Sequence, residues 1–358
     1  DHTRYTFSMG SEKNGILYLS GNSASAYDPK IGRVVCKGDV VEQTKVAFEK
    51  MAVVLEAAGM SFDNVVQTVD YINPIALPGY RGTAEVRRQY LGTSPVASTG
   101  ICVHRLLRPD ALIEISAVAV KTPKTAINPG WDRYSELTYS PGVQTDDIVW
   151  LSGFIGFNEE GAQRKYPRNT AEQVELTYKQ IGETLKSAGA KNSDVIKSLD
   201  YIAPRATLDY RNTGAVRKDF YKDGYPTATG IVCNRLLRPE GHVEIETVAV
   251  KGEGRQDIRV SEWQNRYDRL TYHPGVKKGR LLFLSGQGAV DHETSQSVGG
   301  WDMAAQADKA YSNIARVISE AGYTMDDIVN TIEWVTPNSL TGYRAVQDVR
   351  RKYFGDRF

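Results

Sequence analysis

Glu114 and Glu244 each interrupt an apolar run, Leu112-Ile113-Glu114-Ile115 and Val243-Glu244-Ile245. A carboxyl group in such a run is a candidate general acid and base if it faces a cleft. It is a plain solvent-facing residue if strand alternation turns it outward. Recurrence in the same setting favours the cleft. Three Ser-Gly pairs, Ser20-Gly21, Ser152-Gly153 and Ser285-Gly286, also close short apolar runs. No His or Lys recurs at a fixed offset to serve as their base, so these serines are not read as nucleophiles. Arg87, Arg217 and Arg350 recur as well, and are read as surface or inter-module ion pairs rather than substrate ligands. Cys36, Cys102 and Cys233 form no CxxC pair, and five His show no zinc spacing. That pattern predicts buried free thiols in a reducing compartment, the cytoplasm, and no bound metal. No nucleotide loop or flavin fingerprint is present, so no cofactor is expected.

These residues sit in a repeat. Ser20, Ser152 and Ser285 are almost evenly spaced along the chain. A second landmark, Tyr80-Arg81, Tyr210-Arg211 and Tyr343-Arg344, keeps nearly the same step, and each occurrence leads to Val-Arg-(Arg/Lys) at Val86, Val216 and Val349. Two landmarks holding one period imply three tandem modules. In each module the apolar run ending in Ser-Gly suits a strand entering a turn. A helix follows, with an apolar stripe at Phe48, Met51, Ala52 and Leu55 in the first module. Tyr178, Ile181, Gly182 and Leu185 form the stripe in the second, and Tyr311, Ile314, Ala315 and Ile318 in the third. Each helix stops at an Ala-Gly pair, where glycine takes the left-handed cap (Gly59, Gly189, Gly322). A β-rich run and a second helix come next. The first two modules are expected to close with strand pairs, Thr99–Leu107 with Leu112–Val120 and Thr229–Leu237 with His242–Val250.

Polar stretches at Lys121–Arg133 and Lys251–Arg266 mark the linkers. The modules are therefore placed at residues 1–123, 134–253 and 267–358. The third is shorter. Glu114 follows Tyr80 at the same distance as Glu244 follows Tyr210, and that distance counted from Tyr343 runs past Phe358. Because strands without partners expose unpaired edges, a longer native chain is expected, and the start at Asp1-His2-Thr3-Arg4 suggests N-terminal trimming. Forty-four basic residues balance 43 acidic ones, a net charge of +1, which offers no field for nucleic acid or an anionic membrane. No apolar run approaches the ~20 residues needed to span a bilayer.

The closing segments carry a resemblance. Thr99-Gly100-Ile101-Cys102-Val103-His104-Arg105-Leu106-Leu107-Arg108-Pro109 leads to Ile113-Glu114-Ile115, and Thr229-Gly230-Ile231 through Arg238-Pro239 leads to Val243-Glu244-Ile245. Together with the Leu-Ser-Gly strand and the helix ending in Ala-Gly, this resembles the RidA/YjgF family of enamine and imine deaminases. The resemblance implies an α+β fold of three tandem RidA-like modules, similar to chorismate mutase of the AroH type. Relatives are homotrimers with clefts between subunits, so the three modules are expected to form an intramolecular pseudo-trimer, with further self-association left open.

Family deaminases hold a substrate carboxylate with an arginine and use a glutamate in the last strand on water. Glu114 and Glu244 match that glutamate and are the expected catalytic residues. The family arginine, which precedes the glutamate at a fixed offset, is replaced by Thr99 and Thr229. Threonine offers one hydroxyl and no charge, so the substrate should differ from that of arginine-bearing members. Arg105 and Arg235, at an even offset further on, could stand in for it or be solvated at the strand's end. The family tyrosine ahead of the Ser-Gly serine is matched by Tyr139 and Tyr272, whereas the first module has Phe7. The Ser-Gly amides, with those of Gly100 and Gly230, are candidates to bind a carbonyl oxygen or carboxylate.

The function expected is hydrolysis of a small imine, enamine or related C–N metabolite by a glutamate-activated water. The alternatives are a chorismatase-like lyase or hydrolase that releases no ammonia, and a non-catalytic ligand-binding protein. Endoribonuclease activity, also attached to the family, gains nothing from the neutral charge or from five scattered His. The partner expected is a small molecule, not nucleic acid or membrane.

Overall fold

The computed structural model describes residues 5–160 and 163–356; Asp1–Arg4, Gly161–Ala162 and Arg357–Phe358 lie outside the described residues. Module 1 contains β1 (Gly10–Lys13), β2 (Ile16–Ser23), β3 (Ser25–Asp28), β4 (Arg33–Cys36), α1 (Val40–Ala57), β5 (Val65–Ile72), α2 (Leu77–Tyr80), α3 (Thr83–Leu91), β6 (Ala97–Cys102) and β7 (Ile113–Val120). Asp39 starts α1 as a capping box: its carboxylate accepts from Val41 and Glu42 N–H, and Glu42 accepts from Asp39 N–H. The expected stripe is there, with Phe48, Met51 and Leu55 fully buried. Gly59 ends the helix at φ +67°, and Gly189 and Gly322 do the same in the other modules.

Module 2 contains β8 (Thr125–Ile127), β9 (Gly142–Thr145), β10 (Ile148–Leu151), β11 (Asn158–Glu160), β12 (Gln163–Lys165), α4 (Thr170–Ser187), β13 (Val195–Ile202), α5 (Gly214–Phe220), β14 (Thr227–Val232), β15 (Arg235–Leu236) and β16 (Val243–Val250). Module 3, taken with the stretch leading into it, contains β17 (Gln256–Ile258), α6 (Gln264–Tyr267), β18 (Gly275–Lys278), β19 (Leu281–Leu284), α7 (Met303–Glu320) and α8 (Val346–Phe354), and the stretches read as linkers thus carry β8 and β17.

The sheets correct one expectation. The closing strands of a module are not paired with each other: the first sheet runs β1-β2-β7-β5-β6-β15 and the second β14-β13-β16-β10-β9-β8. β5 lies between β6 and β7, parallel to the first and antiparallel to the second. α2 and α3 supply the crossover that a parallel pair needs. The outer edge of β6 is filled by β15 from module 2, with Arg235 opposite Cys102 and Leu236 opposite Ile101.

In module 3 the β-rich run after α7, residues 328–336, forms no strand. Its counterparts β5 and β13 are ladder partners of β7 and β16. No described residue of module 3 fills that place beside β19, whose sheet holds only β17, β18 and β19.

Both faces of the first two sheets are covered. β7 sends Ile113, Ile115 and Ala117 into the core beneath α1. Its other face sends Val118 and Val120 toward a cluster that also takes Ile148 and Trp150 from module 2 and Val276 and Leu281 from module 3. Residues two apart share a strand face, so Glu114 lies on the inter-module face with Val118, and Glu244 with Val248 and Val250. Tyr71, Tyr201 and Trp334 hold equivalent places, and Trp334 meets Tyr71 and Tyr201 edge-on at centroid distances of 5.7 and 6.0 Å.

Candidate functional site

Glu244 is carried inward by the alternation of β16 and is 6% exposed. Its Oε1 packs on the Cα of Gly153, so closely that a Cβ built there would overlap it and stand 2.9 Å from Thr99 Cγ2. Thr99 belongs to module 1 and Gly153 to module 2, so the carboxyl sits at an inter-module boundary. Ser152 fastens it: Oγ donates to the Ser140 carbonyl at 2.6 Å and accepts from Ser98 N–H, across the boundary, at 2.8 Å. The Gly153 amide donates to the Ser98 carbonyl at 3.3 Å, which occupies the donor that the sequence offered to a substrate oxygen. Gly100 is covered by Leu237 and by the Tyr80 hydroxyl, which would stand 2.7 and 3.2 Å from a Cβ at that position.

Electrostatics single out this glutamate. Burial, reinforced by Glu246 on the same face, pushes the Glu244 carboxyl up to about 8 against the pull of Arg238. Tyr139 lies close enough to feel Glu244: burial first and that carboxylate second raise its phenol, while Arg238, Arg164 and Arg133 oppose them. Thr99 is 1% exposed and its hydroxyl has no hydrogen-bond partner among the described residues.

The other candidates divide between two partial copies of this arrangement. Glu114 Oε1 packs on Gly21 as Glu244 does on Gly153, and burial raises its carboxyl against Arg108. Ser20 Oγ donates to the Ser8 carbonyl at 2.6 Å. No described strand of module 3 stands opposite them as β6 stands opposite module 2. Ala228 and Thr229 meet Ser285 and Gly286: the Gly286 amide donates to Thr229 Oγ1 at 2.9 Å, and Ser285 Oγ accepts from Ala228 N–H at 3.0 Å; Gly230 faces Ile202 and the Tyr210 hydroxyl instead. Tyr272 belongs to this side, where Arg266 and then Arg217 of module 2 oppose the rise that burial gives its phenol. No described residue of module 3 supplies its glutamate.

One expectation is overturned, and one pair of alternatives meets the structure differently at its two positions. Arg105 is exposed and lies past the end of β6. Arg235 sits in β15 and lines a surface groove with Arg205, Asn234 and Pro239. The exposure of Arg105 fits the solvated alternative, and the arginines that act on the glutamates are Arg108 and Arg238, further along the shared Leu-Leu-Arg-Pro run. Arg87 and Arg217 are not surface residues. Each is buried against an aspartate of its own module, Asp70 and Asp200, which also accepts from Tyr80 or Tyr210 at 2.6 Å. Arg350 repeats the pattern with Glu333 and Tyr343, and in addition donates to Thr6 Oγ1 of module 1 at 3.0 Å.

With the buried glutamate placed at the inter-module boundary, comparison with known proteins decides the family. A family model described as Endoribonuclease L-PSP matches three times, over residues 2–121, 132–251 and 265–358. The chain belongs to this family. A RutC family protein of Pyrococcus horikoshii is 34% identical over 115 residues, 32% of this chain and 86% of the relative. The 2-iminobutanoate/2-iminopropanoate deaminase of Bos taurus is 30% identical over 114 residues, 32% of this chain and 80% of its own. Among solved structures, a YjgF/YER057c/UK114 family member from Mycobacterium tuberculosis covers 36% of this chain and 99% of its own, at 23% identity and a TM-score of 0.31. A chorismatase covers 67% and 79%, at 15% identity and a TM-score of 0.46.

The RidA/YjgF resemblance and the three tandem modules read from the motifs therefore hold for this family member. The three cysteines are buried and free. Among the described residues no cluster of His, Cys, Asp and Glu could hold a metal ion, and no helix is long and apolar enough to cross a membrane.

Proposed function

We propose that this family member hydrolyses a small imine, enamine or related C–N compound in the cleft where Thr99 and Gly100 of module 1 face Tyr139, Ser152, Gly153 and Glu244 of module 2. The observation that carries the reading is the buried Glu244 carboxyl, pushed up to about 8 and therefore holding its proton at neutral pH. A protonated carboxyl beside an imine gives its proton to nitrogen, and the carboxylate left behind takes one from the water that adds to carbon. The resulting carbinolamine collapses when the same carboxyl protonates the amine. The C–N bond breaks, ammonia leaves, the carbonyl forms, and the hydroxyl proton returns to Glu244.

The bovine relative, named for deamination of two 2-imino acids, supports this reaction class. Thr99 in place of the family arginine points to a substrate of different shape, with Arg238 as the cation left to meet an anionic group. The three modules act as an intramolecular pseudo-trimer in this reading, with one complete cleft among the described residues. Buried free thiols support a reducing compartment, the cytoplasm.

Ammonia release from freshly generated imines, carboxylated and uncarboxylated, tests it. Turnover should fall at least ~100-fold in Glu244→Gln, the scale of general acid–base assistance. No acceleration of any imine, or full activity in the variant, overturns it.

A further inference from the structure

Module 2 differs from module 1 beside its glutamate. Two positions along β16, on the same face, stands Glu246, 1% exposed. One of its oxygens accepts from the Lys197 ammonium of β13 at 2.9 Å, and the other is buried with no hydrogen-bond partner among the described residues. The matching positions of module 1, on β7 and β5, hold Ser116 and Gln67, which carry no charge. One module thus has an ion-paired carboxylate next to its cleft glutamate, and the other has a neutral pair.

We propose that Glu246, clamped by Lys197, is a positioning residue that keeps the Glu244 carboxyl in its neutral, proton-bearing form and so makes module 2 the acid side of the cleft. This rests on the reading of Glu244 as the acid. At ~3.3 Å per residue their backbone positions are about 6.6 Å apart along the strand, with both side chains on one face, and in a buried setting a nearby like charge disfavours a second one. Lys197 fixes which of them bears the charge. The other groups facing Glu244 do not supply a substitute. Tyr139 ahead of β9, Tyr201 on β13, Cys102 on β6 and Cys233 after β14 are all held neutral by burial. Arg238 alone pulls the other way, from an exposed position where solvent screens it.

The test follows the Glu244 carboxyl by carbon-detected NMR titration of the full chain, which needs no substrate. Glu246→Gln should lower the Glu244 midpoint by about one pH unit, a tenfold gain in the ratio of ionised to protonated form at a given pH, and Glu246→Asp should hold it near the parent value. A midpoint unmoved or raised by Glu246→Gln overturns the proposal. If that variant does not fold, Gln67→Lys with Ser116→Glu installs the pair in module 1. It should raise the Glu114 midpoint, and an unmoved midpoint there counts equally against the proposal. The two readings fail separately. A shifted midpoint with no ammonia from any imine keeps this inference and removes the deaminase; ammonia release that depends on Glu244, with an unmoved midpoint, does the reverse.

Discussion

A methyl group on Gly153 would overlap Glu244 Oε1 and press on Thr99 Cγ2, so Gly153→Ala should push the acid off its place. Misplacement of about 1 Å costs up to ~100-fold in rate; steady-state ammonia assays should show a loss in kcat approaching that size, and an unchanged kcat would remove Glu244 from the chemistry. The same carboxyl makes stability depend on pH. Its folded value is about 8 against an ordinary 4.5, so below about 4.5 both states hold the proton and nothing is lost. Between 4.5 and 8 only the unfolded state ionises, so stability falls as pH rises and levels off above 8. Glu244→Gln lacks this loss, and its Tm advantage over the parent should widen as pH rises through that window; a constant gap would contradict the raised value. Glu244 was legible in the sequence because strand alternation and the repeat both pointed to it. Arg238 was not. It lies in a loop, where no period applies, and the even offset that made Arg105 and Arg235 one alternative was carried past Cys102, where β6 ends.

The buried triads belong to the scale of elements, since they tie α3 to β5 and α5 to β13. Arg217 is 7% exposed and Asp200 1%, so Arg217→Ala strands a buried charge and should cost about 3–5 kcal/mol in denaturant unfolding. A loss well below that, on the order of 1 kcal/mol as for an exposed pair, would show that solvent reaches the aspartate. The sequence displayed Tyr210 and Arg217 at the repeat period, but their acidic partner was hidden inside a run that read as plain strand. Asp70, Asp200 and Glu333 keep the same period, and that recurrence was the available signal. Helix stripes and glycine stops were legible because each is a local pattern. Sheet order was not: strands close in sequence looked like a hairpin, while the inserted β5 is specified by long-range packing.

Across the whole molecule, Trp334 bridges the three modules through Tyr71 and Tyr201. Trp334 is only partly buried, so Trp334→Ala should cost about 1–3 kcal/mol, below the ~3–5 kcal/mol typical of a ring removed from a core. The variant should also broaden the unfolding transition as module 3 uncouples from the others; a sharp transition at the parent midpoint would show that the ring is not a keystone. Light scattering should return the mass of one chain, whereas a trimer of chains would argue against closure within a single chain. The β15 graft onto β6 has a consequence in time. Cys102 leaves the ribosome a full module ahead of Leu236, a delay on the order of 10 s at ~5–20 residues per second. For that interval the nascent first module exposes a bare strand edge, and during synthesis a second ribosome on the same message brings an identical edge within reach.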